Sequence, residues 1–139
     1  MAANTTPIFV LTPNFSTAAS AAANTASDGS GALVTLFTAG ANGSLITSIK
    51  ASNAQIAALL SSSMVVRVFV TDTIGANPRL VSEAALPAAT RSLTAVGATV
   101  TINFLGGLQI AAGQIVKVCQ SAYAGVQDLT HFSAQGGDY

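Results

Sequence analysis

Charge is what this sequence lacks most. Lys and Arg together number five, Asp and Glu number five, and charged residues make up 7% of the 139-residue chain. An ordinary soluble domain is about one-quarter charged. Free monomers use scattered charge to stay soluble and to keep sheet edges and apolar patches from sticking. With zero net charge and a mean hydropathy of +0.58, this chain has little of that protection. Much of its surface is therefore expected to be covered by copies of itself or by a partner.

Other absences narrow the function. A basic stripe, needed to neutralise phosphates, is missing, which excludes nucleic acid as the expected partner. The same balance argues against an anionic membrane surface. Cys119 is the only cysteine, so no internal disulfide is expected. It is read as a buried, inert thiol rather than a reactive one. The first residues have no basic segment followed by a long apolar core, so a signal peptide is not expected and synthesis in a cytoplasm is. The apolar runs at residues 8–11 and 64–70 are too short to span a bilayer.

Catalytic candidates are equally thin. His131 is the sole histidine. Asp128 lies three residues before it and serines are plentiful, but a hydrolytic triad is defined by geometry, and composition supports none. One histidine, one cysteine and dispersed carboxylates give no metal-ligand spacing. The Gly-containing stretches at 28–31 and 40–43 lack the lysine of a phosphate loop and read as turns. The patterns at Asn4, Asn14 and Asn42 match the glycosylation acceptor, and without a secretory signal they are read as chance. The expectation is a protein without catalysis, cofactor or metal.

What is present is a series of short β-rich runs broken by Gly, Asn or Pro: residues 32–38, 44–52, 64–73, 79–86, 98–104, 108–110, 114–121 and 129–134. Residues 64–86 read as a hairpin with a longer loop. Strict alternation places Val66, Val68, Val70, Val100, Ile102, Phe104, Val116 and Val118 in the core, with Arg67, Thr99, Thr101 and Lys117 pointing away. Gly106-Gly107 is read as the end of a strand. Only residues 53–60 compete as a short helix, with Asn53 as cap and Ile56, Leu59 and Leu60 on one face, against a loop reading. The expected fold is all-β: one jelly-roll-like β-sandwich of about eight strands at residues 31–139, with an immunoglobulin-like sandwich as the alternative.

Residues 1–30 stand apart as an extended N-terminal arm or first strand. Pro7 and Pro13 bracket a short apolar piece, followed by an Ala/Ser/Thr/Asn tract that buries too little to form a core. Ile8, Phe9, Val10, Leu11 and Phe15 are the expected partner contacts, because large apolar side chains are seldom left in water without use. Outward strand positions are Thr, Ser, Ala and Asn, small neutral side chains that let two surfaces pack with little desolvation penalty.

The second half resembles a known kind of protein. The phrases Val65-Val-Arg-Val-Phe-Val70, Leu108-Gln-Ile-Ala-Ala-Gly113, Val116-Lys-Val118 and Gly136-Gly-Asp-Tyr139 look like small virion structural proteins of tailed bacteriophages. More narrowly, they are similar to capsid decoration (cement) proteins with a β-sandwich fold. The resemblance covers roughly residues 31–139. It implies a virion protein that adds to the outside of a finished shell, as a homotrimer at local three-fold positions bound to the major capsid protein. A second expectation, of a different class, is a receptor- or glycan-binding fibre or adhesin module. Sugar sites usually display aromatics and carboxylates, and the absence of Trp and the scarcity of acids favour the cement reading.

Overall fold

A computed structural model describes residues 10–54 and 58–139. Eight strands follow in chain order: β1 (Thr12–Ser20), β2 (Val34–Thr38), β3 (Ser44–Asn53), β4 (Met64–Thr71), β5 (Arg79–Leu86), β6 (Thr99–Ile110), β7 (Ile115–Gln120) and β8 (Thr130–Asp138), with a 3-10 turn at Val126–Asp128. No α-helix occurs among the described residues. The strands form two four-stranded antiparallel sheets, ordered β1-β8-β3-β6 and β2-β7-β4-β5.

That order carries the topology. β4 pairs β5, β3 pairs β6, β2 pairs β7 and β1 pairs β8. Each strand of the first half thus meets its mirror partner in the second. One long antiparallel ribbon, folded at the β4–β5 loop and rolled up, gives this arrangement, which is the jelly roll. An immunoglobulin-like sandwich would split its strands as A-B-E-D and C-F-G, and the observed order replaces it.

The core lies between the sheets. Val66, Val68, Val116 and Val118 are fully buried there with Leu36, Phe37, Ile46, Ile49 and Phe132. Val70, Val100, Ile102 and Phe104 were expected to be buried as deeply. They pack against the core but are only partly buried. For Val100, Ile102 and Phe104 the reason is that β6 is an edge strand, with no neighbouring strand on one side among the described residues, whereas Val70 sits at the end of inner strand β4 beside the β4–β5 loop. Arg67, Thr99, Thr101 and Lys117 point away from the core, as alternation demands.

Local differences from the sequence reading have local causes. Gly106-Gly107 does not end a strand. β6 runs on to Ile110, and residues 104–107 bulge opposite Thr47 alone, since Ile46 faces Leu108 and Ser48 faces Asn103. Gly106 and Gly107 take φ of 79° and 83°, which side chains rarely adopt, so the bulge needs glycine there. Asn53 is the last residue of β3 rather than a helix cap, and Leu60 forms a bridge with Thr90; residues 55–57 lie outside the described residues. The first strand starts at Thr12, and Leu11 extends its line through Leu11 N–H to the Asp138 carbonyl (2.9 Å).

Candidate functional site

The two outer sheet faces differ sharply. The chain itself covers the middle of the β2-β7-β4-β5 face, over β4 and β7, and leaves Thr35, Glu83 and Ala85 exposed. After β1, residues 21–33 cross it: Ala23 bridges in parallel to Gln120 and Asn24 N–H donates to the Gln120 carbonyl (2.8 Å). The Asn24 side chain fixes this strap. Its Nδ2 donates to the carbonyls of Ser30 (2.8 Å) and Ala32 (2.9 Å), while Oδ1 accepts from Ala26 N–H (3.0 Å). Beneath the strap, Phe69 and Cys119 are fully buried although both point away from the core. Arg67 joins the layers, pairing with Glu83 (3.2 Å) and donating to the Asn24 carbonyl (3.3 Å). Burial pushes the Cys119 thiol up, and the nearby Arg67 charge only partly opposes it. A thiol in that state is a poor nucleophile.

The outer face of β1-β8-β3-β6 is open. Three cross-strand rows make it up: Ala19–His131–Ser52–Thr99, Thr17–Ser133–Lys50–Thr101 and Phe15–Gln135–Ser48–Asn103. None of these side chains is buried. Lys50 is the one residue among them with a full charge at neutral pH. A shallow depression of about 520 Å³ lies over Thr17, Ala19, Lys50, Ser52, His131 and Ser133. Hydroxyl and amide groups at strand spacing form a flat surface that can hydrogen-bond a partner and costs little to dehydrate.

The residues expected to contact a partner fall at one margin of this face. Ile8 and Phe9 lie outside the described residues. Val10 packs beside Gly137, and Leu11 is 78% exposed. Phe15 is 63% exposed on the outward side of β1 and opens the third row. Val10 and Leu11 therefore run beside the chain's own last strand, and Phe15 belongs to the face.

Asp128 and His131 do not meet as a catalytic pair. His131 stands exposed on the open face, whereas Asp128 is fully buried at one end of the sandwich. Its carboxylate accepts from Ser62 N–H (2.6 Å), Ser62 Oγ–H (2.8 Å) and Ala124 N–H (2.7 Å). Burial alone would raise its pKa; these hydrogen bonds outweigh that and hold it below the ordinary carboxylate value. The group is a clamp between the β3–β4 and β7–β8 connections. Nearby, buried Gln120 donates through Nε2 to the carbonyls of Ala122 and Asp128 (both 2.8 Å), and its Oε1 has no partner among the described residues. No group of three or more His, Cys, Asp or Glu side chains that could hold a metal occurs among the described residues.

Sequence reasoning picked out Phe15 and the neutral outward positions, which the structure places on this face, but missed the rows themselves, since three separate strand pairings bring them together. It also missed the Asp128 clamp, whose partner Ser62 lies 66 residues away. The chain matches no protein-family model, no curated protein and no solved structure, so the likeness to phage decoration proteins supports a proposal and not a membership.

Proposed function

We propose that the chain is a structural subunit that attaches to the outside of a larger protein shell, in the capsid-decoration role that the resemblance implies, and that it attaches through the open face of β1-β8-β3-β6. The observation that carries this reading is the contrast between the two faces. One is crossed by the chain's own strap, which buries Phe69 and Cys119 at its centre, and the other has no such cover and one Lys, Arg, Asp or Glu in three rows. A face destined for water would normally carry Lys and Glu at such positions. A face of Thr, Ser, Asn and Gln suits close packing against another flat surface. On the shell, the resemblance implies three copies around a local three-fold position, each resting on the major capsid protein.

The test uses capsids stripped of the protein and then incubated with purified chain. Co-sedimentation should restore binding with little loss between low and high salt, because neutral contacts are weakly screened. Thr17→Arg, placed in the middle row on an exposed side chain, should abolish rebinding and leave the circular dichroism unchanged. Undiminished rebinding of that variant would move the contact off this face. Binding to bare cells or to glycans instead of capsids would establish the receptor-binding reading.

A further inference from the structure

Among the described residues the sandwich has four strand edges, and three are defended. β1 carries Pro13, β2 is only five residues long, and β5 carries Arg79 and Glu83. Proline, shortness and charge are the usual means by which proteins prevent edge-to-edge pairing. β6 has none of them: its twelve residues contain no charge and no proline. Its core-facing side chains Val100, Ile102 and Phe104 are left half-exposed, which is the state of a core layer missing its next strand. The bulge at residues 104–107 limits the regular, pairable stretch to Thr99 through Asn103.

The geometry points to this edge as a self-pairing interface, in which β6 of one copy lies antiparallel to β6 of a second about a two-fold axis at Thr101. A two-fold contact requires a self-complementary surface, and the sequence of the stretch supplies one. Pairing about Thr101 sets Thr99 opposite Asn103 on the outer side and Val100 opposite Ile102 on the core side. Beyond the paired stretch the bulge of one copy, with Leu105, comes near the β5–β6 loop of the other, with Val96. Leu93, Leu105 and Val96 are the most exposed large apolar residues described, at 106%, 105% and 89%. The β5–β6 loop, with Leu93 and Val96, and the bulge, with Leu105, thus lie at the two ends of the paired stretch in each copy. The joined sheets form one eight-stranded sheet in which Thr99, Thr101 and Asn103 of the two copies meet at the centre of the outer face. The pairing is made by the backbone of the edge, although Thr99, Thr101 and Asn103 also end the rows of the open face, and it is tested on the chain in solution without any shell.

The register makes the test specific. Wild type should sediment as a dimer at micromolar concentration. T99K/N103K places lysines opposite each other on both sides of the axis, and like-charge apposition costs several kcal/mol; the dissociation constant should rise at least about a hundredfold. T99E/N103E should behave the same way. An equimolar mixture of the two should pair again, and so should T99E/N103K, which alters the same positions but sets Glu against Lys. Recovery in the last two cases also shows that the substitutions have not damaged the fold. A monomeric wild type overturns the inference. So does a dimer or trimer that the paired-charge variants leave intact, or one that the mixture fails to restore.

Discussion

Replacing Asp128 by alanine should unpin one end of the sandwich. Among the described residues the carboxylate is the acceptor for Ser62 N–H and Ala124 N–H, and it bridges two connections also joined by the hydrogen bond from Ala54 N–H to the Leu129 carbonyl (2.7 Å). Its removal strands two backbone donors, each costing about 1–3 kcal/mol when unmet. The desolvation cost of the charge is recovered, which offsets part of the loss. The net destabilisation should be about 2–5 kcal/mol, a large share of the ~5–15 kcal/mol typical of a domain. Urea denaturation at neutral pH should show the midpoint falling with the slope unchanged. A pH series adds an independent sign. Because the folded-state pKa lies below the ordinary carboxylate value, the charged group contributes stability above that value, and the contribution is lost as pH falls through the folded pKa. Asp128→Ala should therefore lose less stability than wild type on acidification through that range, while Asp28 and Asp72, also lowered by hydrogen bonds within their loops, affect both proteins alike. A variant within about 0.5 kcal/mol of wild type, inside the usual scatter of surface changes, or one with the same acid dependence, would refute the clamp.

Two further substitutions probe the strap and the core. Gly29 has φ of 86°, and a Cβ there would lie 2.5 Å from Pro78 Cγ and 3.3 Å from Phe69; Gly29→Ala should cost about 1–3 kcal/mol and make Cys119 accessible to a thiol reagent, and an unreactive thiol at unchanged melting temperature would count against the strap as a fixed cover. Phe132→Ala, in the centre of the core, should cost about 3–5 kcal/mol, whereas half-exposed Phe104→Ala should cost about 1–3 kcal/mol; equal losses in dilute solution would mean that the burial difference between inner and edge strands is wrong.

The fold was legible where alternation is strong. Residues 64–71 and 99–103 declare both strand and facing, because every second side chain is large and apolar. β1 was not legible from Thr12–Ser20: only Ala18 of that strand packs on the core, and small neutral residues beside a proline give no period to read. The bulge was hidden because a Gly-Gly pair signals a break; the strand resumes since Leu45 occupies the space that a Cβ at Gly107 would need. Phe69 shows the opposite limit. Alternation with Val68 and Val70 sets it outward, yet it is fully buried, because cover arrives from a strap some 40 residues earlier in the chain, a distance that local pattern cannot span. The site was the least legible part, since its rows exist only after four distant strands have found their register.

The scarcity of charge takes on a sharper meaning once the few charges are placed. Asp28 holds Ser30 N–H and Oγ–H, and Asp72 holds Ile74 N–H, Ala76 N–H and Asn77 Nδ2. Asp128 clamps two connections. Asp138 accepts from Ser44 Oγ (2.5 Å) and Asn14 Nδ2 (3.2 Å), tying three strands of one sheet. Arg67 and Glu83 pair beside the strap, and Lys117 Nζ donates to the Gly75 carbonyl (3.0 Å). Most of the charges thus serve as local struts within the fold. Lys50, Arg79 and Arg91 remain, and only Lys50 stands on the open face. A monomer in water gains solubility from charges that face outward and are free to be hydrated; this chain uses its own to fix loops and leaves its broad sheet surface neutral. That division of labour is what a subunit needs when its loops must keep their shape and its face is to be covered by protein rather than by solvent.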